Sequence, residues 1–228
     1  LAAKKTLTNT AAHLEKAGLT EGHIIRFRAV VWDIAGNRVD GATYGTTYTV
    51  DQVVPTVDEV TSAQTEGNPK LKVDETLDIQ VTFTEVVNIT GTPKLLLDTD
   101  DPPGSVLSEA LYNSDTGSTS PKFRLTVATN NYNRDLNYRS SASLELDGGT
   151  IRDAAGNNAT LTLPALDNVK ALKQMKDYWV DGVLPTILTV GDVITTGDTI
   201  VAGHWNSTNT GLKVTVPLET ADVSLAGG

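Results

Sequence analysis

The chain has no cysteine, so no disulfide staples it, and its stability must come from core size, repetition or bound metal. Aromatic residues are scarce at 5%, and methionine occurs once. The three histidines, His13, His23 and His204, show neither metal-ligand spacing nor a partner motif beside them. No apolar run approaches the ~20 residues of a membrane-spanning helix. Basic residues are too few for nucleic acid: 18 Lys and Arg stand against 28 Asp and Glu, a net charge of −10. Nucleophile elbows, phosphate loops and dinucleotide fingerprints are all missing. These absences exclude a nucleic-acid partner and membrane insertion of this segment, and leave no catalytic site to assign. No signal peptide is visible and the chain opens on Leu1, so it reads as an excerpt from a longer protein.

What is present is strand and turn chemistry. Val, Thr and Leu suit a pleated surface, while Gly, Asn and Asp supply turns. Two-residue alternation marks strands at Ile25–Val31, Leu77–Phe83, Phe123–Val127, Leu144–Leu146, Leu161–Leu163 and Leu212–Leu218. Short helical periods occur only near Ala11–Ala17 and Asp167–Lys176. The expected fold is all-β, with short strands packed as sandwich modules.

Self-similarity organises the chain. Tyr48-Thr-Val-Asp51-Gln-Val-Val-Pro55-Thr-Val57 returns as Tyr178-Trp-Val-Asp181-Gly-Val-Leu-Pro185-Thr-Ile187. Upstream, Asp33-Ile-Ala-Gly-Asn37 returns as Asp153-Ala-Ala-Gly-Asn157. Two elements repeated in the same order point to tandem modules. Asp-x-Ala-Gly-Asn is a tight turn in which Asp caps the backbone and Gly or Asn takes the positive φ. The proline lacks an N–H for a sheet ladder and belongs at a module boundary. The domains expected are the closing half of a module at 1–53, a complete module at 54–186 and the opening half of another at 187–228.

Residues 19–57 resemble the second half of bacterial immunoglobulin-like and fibronectin-type-III-like modules. The stretches Val81-Thr-Phe-Thr-Glu-Val-Val-Asn-Ile-Thr-Gly-Thr-Pro-Lys-Leu95-Leu-Leu97 and Leu146-Asp-Gly-Gly-Thr-Ile-Arg-Asp-Ala-Ala-Gly-Asn157 resemble the long repeats of giant bacterial surface adhesins. Residues 185–228, with Gly203-His-Trp-Asn-Ser-Thr-Asn, resemble the first half of such a module. The resemblance implies tandem immunoglobulin-like sandwiches in an extracellular, cell-surface setting, and it carries no catalytic motif.

Candidate site residues are acidic. Asp33, Asn37 and Asp51 at one module end, and Asp153, Asn157 and Asp181 at the next, offer the oxygen ligands that Ca²⁺ takes. Asp98, Asp100 and Asp101 form a third candidate loop. The other reading is that Asp33 and Asp153 only cap their turns, while Asp98–Asp101 is a solvated tip. Trp32, Trp179 and Trp205 are expected to pack in a core or junction rather than form a sugar-stacking platform. The sequons at Asn88, Asn158 and Asn206 arise readily in so Thr- and Asn-rich a chain.

The function expected is a non-catalytic structural segment of a bacterial surface fibre, stiffened at its Pro/Asp junctions and by structural Ca²⁺. Its partners are neighbouring copies or repeats that complete the half modules, which together approach the ~100 residues of one domain. A host-cell or glycan ligand is assigned to other regions. The alternative is a carbohydrate- or protein-binding module of an adhesin or of a secreted polysaccharide-degrading enzyme.

Overall fold

The computed structural model describes residues 18–26, 28–32, 35–43, 47–62, 64, 70–100, 107–184 and 191–216. In chain order the strands are β1 (Ile24–Ile25), β2 (Arg28–Trp32), β3 (Arg38–Thr43), β4 (Tyr48–Thr49), β5 (Val57–Ser62) and β6 (Lys70–Lys72). Next come β7 (Thr76–Phe83), β8 (Asn88–Thr90), β9 (Lys94–Asp98), β10 (Leu107–Ser114), β11 (Lys122–Thr126) and β12 (Tyr132–Asn133). β13 (Asn137–Tyr138), β14 (Leu144–Glu145), β15 (Thr150–Arg152), β16 (Trp179–Asp181), β17 (Val193–Gly197) and β18 (Asn209–Val214) follow. One short helix, α1 (Leu172–Met175), precedes β16. The fold is all-β.

β7 shows why the alternating pattern specifies a strand. Leu77, Ile79, Val81 and Phe83 are buried while the residues between them stay half-exposed. It pairs antiparallel with β5 on one side and β11 on the other. The main sheet continues through β10 and β9, whose far edge takes both β13 and β14. Smaller sheets, β8–β15 and β12–β16–β6, close the core, and β16 runs parallel to β6. The buried hydrophobic cluster lies entirely between Val60 and Val180. Fully burying each large aliphatic or aromatic side chain in it contributes roughly 1.5–3 kcal/mol. On the outer face Arg124 grips Asp78, its cross-strand partner, at 2.7 and 2.8 Å. That bidentate bond, with the Arg124 and Lys122 charges, holds the Asp78 carboxyl below its ordinary pKa against a smaller opposing effect of burial.

Three sheets outside this core, β1–β4, β2–β3 and β17–β18, have two strands each and pair with no other strand among the described residues. Their apolar side chains stand open: Ile24, Val39, Tyr48, Ile194 and Leu212 are all exposed. Trp32 and Trp205, expected to pack, are 61% and 59% exposed, and the Arg38 guanidinium lies over the Trp32 ring at 5.6 Å. Trp179 does pack, edge-on against Tyr132 with Lys70 over its ring at 4.2 Å.

Two strand expectations need correction. Leu161–Leu163 forms no strand, since its flanking N–H groups go to scattered acceptors, Thr160 to Pro55 and Leu163 to Ser141. Leu163 is nevertheless buried. The pattern at Leu212–Leu218 forms strand only to Val214 among the described residues. Of the helical periods, Asp167–Lys176 contains α1 and Ala11–Ala17 lies outside the described residues.

Candidate functional site: an acidic joint

The Asp153–Asn157 turn forms as its residue types require. Gly156 takes φ +100° and its repeat partner Gly36 takes +89°, a region that penalises any Cβ. Asp153 Oδ1 accepts the backbone N–H groups of Gly156 and Asn157 at 2.7 and 2.8 Å, so this aspartate does cap its own turn. Burial alone raises its pKa. The hydrogen bonds from Asn157, Gly156 and Ala155 outweigh burial and hold the carboxyl below its ordinary value.

Asn157 extends the turn outward. Its Nδ2 donates to Asp153 Oδ2 at 2.8 Å and to the backbone carbonyls of Asp51 and Val53, each at 3.2 Å. Thr160 N–H donates to the Pro55 carbonyl at 2.8 Å, and the Thr56 N–H reaches Thr84 Oγ1 at 3.0 Å. The segment entering the core is therefore clamped from both sides. On its other flank, Gln52 N–H donates to Glu21 Oε2 at 2.5 Å.

This clamp brings three carboxylates together. Asp51, Glu85 and Asp153 each place an oxygen within 4.8 Å of the others. Glu85 follows the end of β7 and was not among the sequence candidates. Its pKa is raised, first by desolvation and then by the negative fields of Asp51, Asp153 and Glu21. No salt bridge among the described residues reaches any of these four acids.

The expected ligand sets regroup. Asp51 meets the Asp153–Asn157 turn. Asp33 lies outside the described residues, and Asn37 sits exposed beyond its turn. Asp181 is absent from the cluster because it lies on β16, paired with Tyr132 and Lys72. Its Oδ1 accepts Val183 N–H at 3.2 Å. Lys72 leads into the start of β7, whereas Glu85 follows its end, so the two acid sites lie roughly 25–30 Å apart along that strand. Asp98 ends β9 half-buried and lines a separate cavity, Asp100 accepts Asn133 Nδ2 through its carbonyl, and Asp101 lies outside the described residues. Among the described residues, Asp98 and Asp100 enter no group of three candidate ligands.

Comparison of the chain with protein-family models, with curated proteins and with solved structures returns no match.

Proposed function

We propose that this chain is a non-catalytic structural repeat segment of an extracellular bacterial surface fibre or adhesin, built from immunoglobulin-like modules. The observation that carries this reading is the grip of Asn157 on the Asp51 and Val53 carbonyls. The closing turn of one module thereby fixes the segment that leads into it, as a load-bearing spacer requires. Stiffness at the joint limits bending between units that otherwise contact only their neighbours.

The acids at this joint, none of them in a salt bridge among the described residues, support a structural Ca²⁺. Asp51, Glu85 and Asp153 offer hard oxygen donors, and neighbouring backbone carbonyls are of the kind that completes such a shell. Desolvation first, and then the negative fields of its neighbours, raise the Glu85 pKa, and a cation here relieves that repulsion. Neighbouring copies or repeats are the partners: the open apolar faces of β17–β18 and of β1–β4 are what a half sandwich presents to its other half.

Small-angle scattering and thermal melting of the full chain, in millimolar-scale Ca²⁺ and in EDTA, test the reading. Calcium is expected to raise the melting temperature and narrow the distribution of shapes. A ligand that binds only the folded state stabilises it by about 2.7 kcal/mol at a hundredfold excess over Kd. Identical melting and identical scattering in both buffers overturn the calcium-stiffened joint.

A further inference from the structure

A second site lies away from the joint, where β13 meets the edge of β9. A cavity of about 260 Å³ opens there. That is smaller than the roughly 300–1,000 Å³ of drug-sized ligand pockets, and suits a single monosaccharide unit.

Its wall contains an orphaned donor. Asn137 is 7% exposed, and its Oδ1 accepts the Tyr138 N–H at 3.0 Å, which fixes the way the amide faces. The Nδ2 that remains is buried and has no hydrogen-bond partner. Buried amide donors without acceptors are rare in folded proteins and call for an explanation.

The charge around the cavity runs against that of the chain. Among the described residues, Arg134, Arg139 and Lys173 line it together with the carboxylates of Asp98 and Asp135, although the protein carries −10 overall. The Arg139 guanidinium has no ion pair or side-chain hydrogen bond with any described residue, and Lys173 reaches Asp135 only at 3.6 Å. The Arg139 guanidinium suits one carboxylate. A doubly charged phosphate or sulfate would instead face both aspartates at close range. Those same aspartates are acceptors for hydroxyl groups, and the part-exposed Leu166 gives the carbon skeleton an apolar contact.

The rim is held in place beforehand. Asn133 Nδ2 donates to the carbonyls of Asp98 and Asp100, and its Oδ1 accepts the Asp135 N–H at 2.7 Å. Such preorganisation lowers the entropy lost on binding.

We propose that this cavity binds a singly charged sugar acid such as a uronate, with Arg139 on its carboxylate and Asp98 and Asp135 on its hydroxyls. The segment then carries a glycan contact of its own within the core module. This inference does not depend on the calcium-stiffened joint, and the two experiments fail separately.

The test is a titration of the isotope-labelled full chain with glucuronate, followed by amide chemical shifts, with glucose and acetate run in parallel. Glucuronate is expected to give saturable shifts centred on residues 133–139, with Kd at least about tenfold lower than for either comparator. Arg139→Gln, at an exposed position, is expected to keep the native spectrum and weaken glucuronate by about tenfold or more. No saturable shift, or undiminished binding by Arg139→Gln, overturns the proposal. So does equal binding of acetate, which reduces the cavity to a simple anion site, or equal binding of glucose, which removes the charge from recognition.

Discussion

Replacing Asn157 by alanine isolates the clamp at the joint. The two hydrogens on its Nδ2 serve three acceptors: the Asp153 carboxylate and the carbonyls of Asp51 and Val53. A hydrogen bond to a charged group contributes about 1.5–3 kcal/mol and one between neutral groups about 0.5–1.5. The site is only half-buried, so the freed carbonyls turn to water and the lower ends of these ranges apply. Asp153 also keeps its backbone donors from Gly156 and the residue at 157. The expected loss is about 2 kcal/mol, read as a lower urea midpoint with an unchanged m-value. Asn158→Ala is the control, since that exposed side chain has one bond, to Arg152, and should cost less than about 0.5 kcal/mol. Asn157→Asp should be worse than alanine at neutral pH. It sets a second carboxylate where a donor stood 2.8 Å from Asp153, and acidification should restore stability as the pair takes up a proton. An Asn157→Ala protein no less stable than Asn158→Ala, with amide exchange at residues 51–53 unchanged, refutes the clamp.

Two further outcomes follow from the core module. Gly149→Ala should cost about 1–3 kcal/mol or more, because a Cβ there meets the Thr90 carbonyl oxygen at 2.3 Å and the Leu146 carbonyl oxygen at 3.0 Å. Gly148→Ala meets nothing within 4 Å and carries only the left-handed strain of φ +77°, so a denaturant midpoint for Gly149→Ala no lower than for Gly148→Ala counts against the close approach. Tyr138 is buried, donates to the Pro164 carbonyl, and has its phenol pKa pushed by desolvation from 10.0 up to about 12. A raised folded-state pKa gives stability that is complete below pH 10 and is lost as pH rises towards 12, about 2–3 kcal/mol in all. Alkaline denaturant titrations should show that fall, and Tyr138→Phe should remove it. Parallel curves for the two proteins rule the assignment out.

What could be read from the sequence was local. The alternation of β7 is legible because one face is fully buried, and a slip of one residue would expose Leu77, Ile79, Val81 and Phe83 together. The Asp153–Asn157 turn is legible because its cap and positive φ lie within five residues. What could not be read depends on contacts distant in sequence. Leu161–Leu163 alternates as a strand does, yet alternation reports only which side chains are buried, and here no neighbouring ladder receives the backbone. Glu85 has no motif of its own. It joins the site because β7 ends beside the segment that Asn157 holds. The cations of the sugar-acid cavity likewise come from a loop, a strand end and α1, and only tertiary packing gathers them.

The regrouping of the acids changes what the repeat means. Asp51 and Asp181 are equivalent in sequence, yet they serve opposite ends of the same module. Asp51 meets the turn and the Glu85 carboxylate at the end where the chain enters, and Asp181 lies beside the start of β7, where it leaves. Asp51 belongs with the module it leads into, whereas Asp181 pairs through β16 with β12 and β6 of the module it closes. The joint is thus shared across a boundary, with one carboxylate from the leading segment and two from the module it enters. On the proposed reading, a cation held by all three acids would fix the segment against the module and so couple its binding to the angle between neighbours. A joint built from Asp153, Asn157 and Asp181 alone would have bound its ion inside one module and left the angle free.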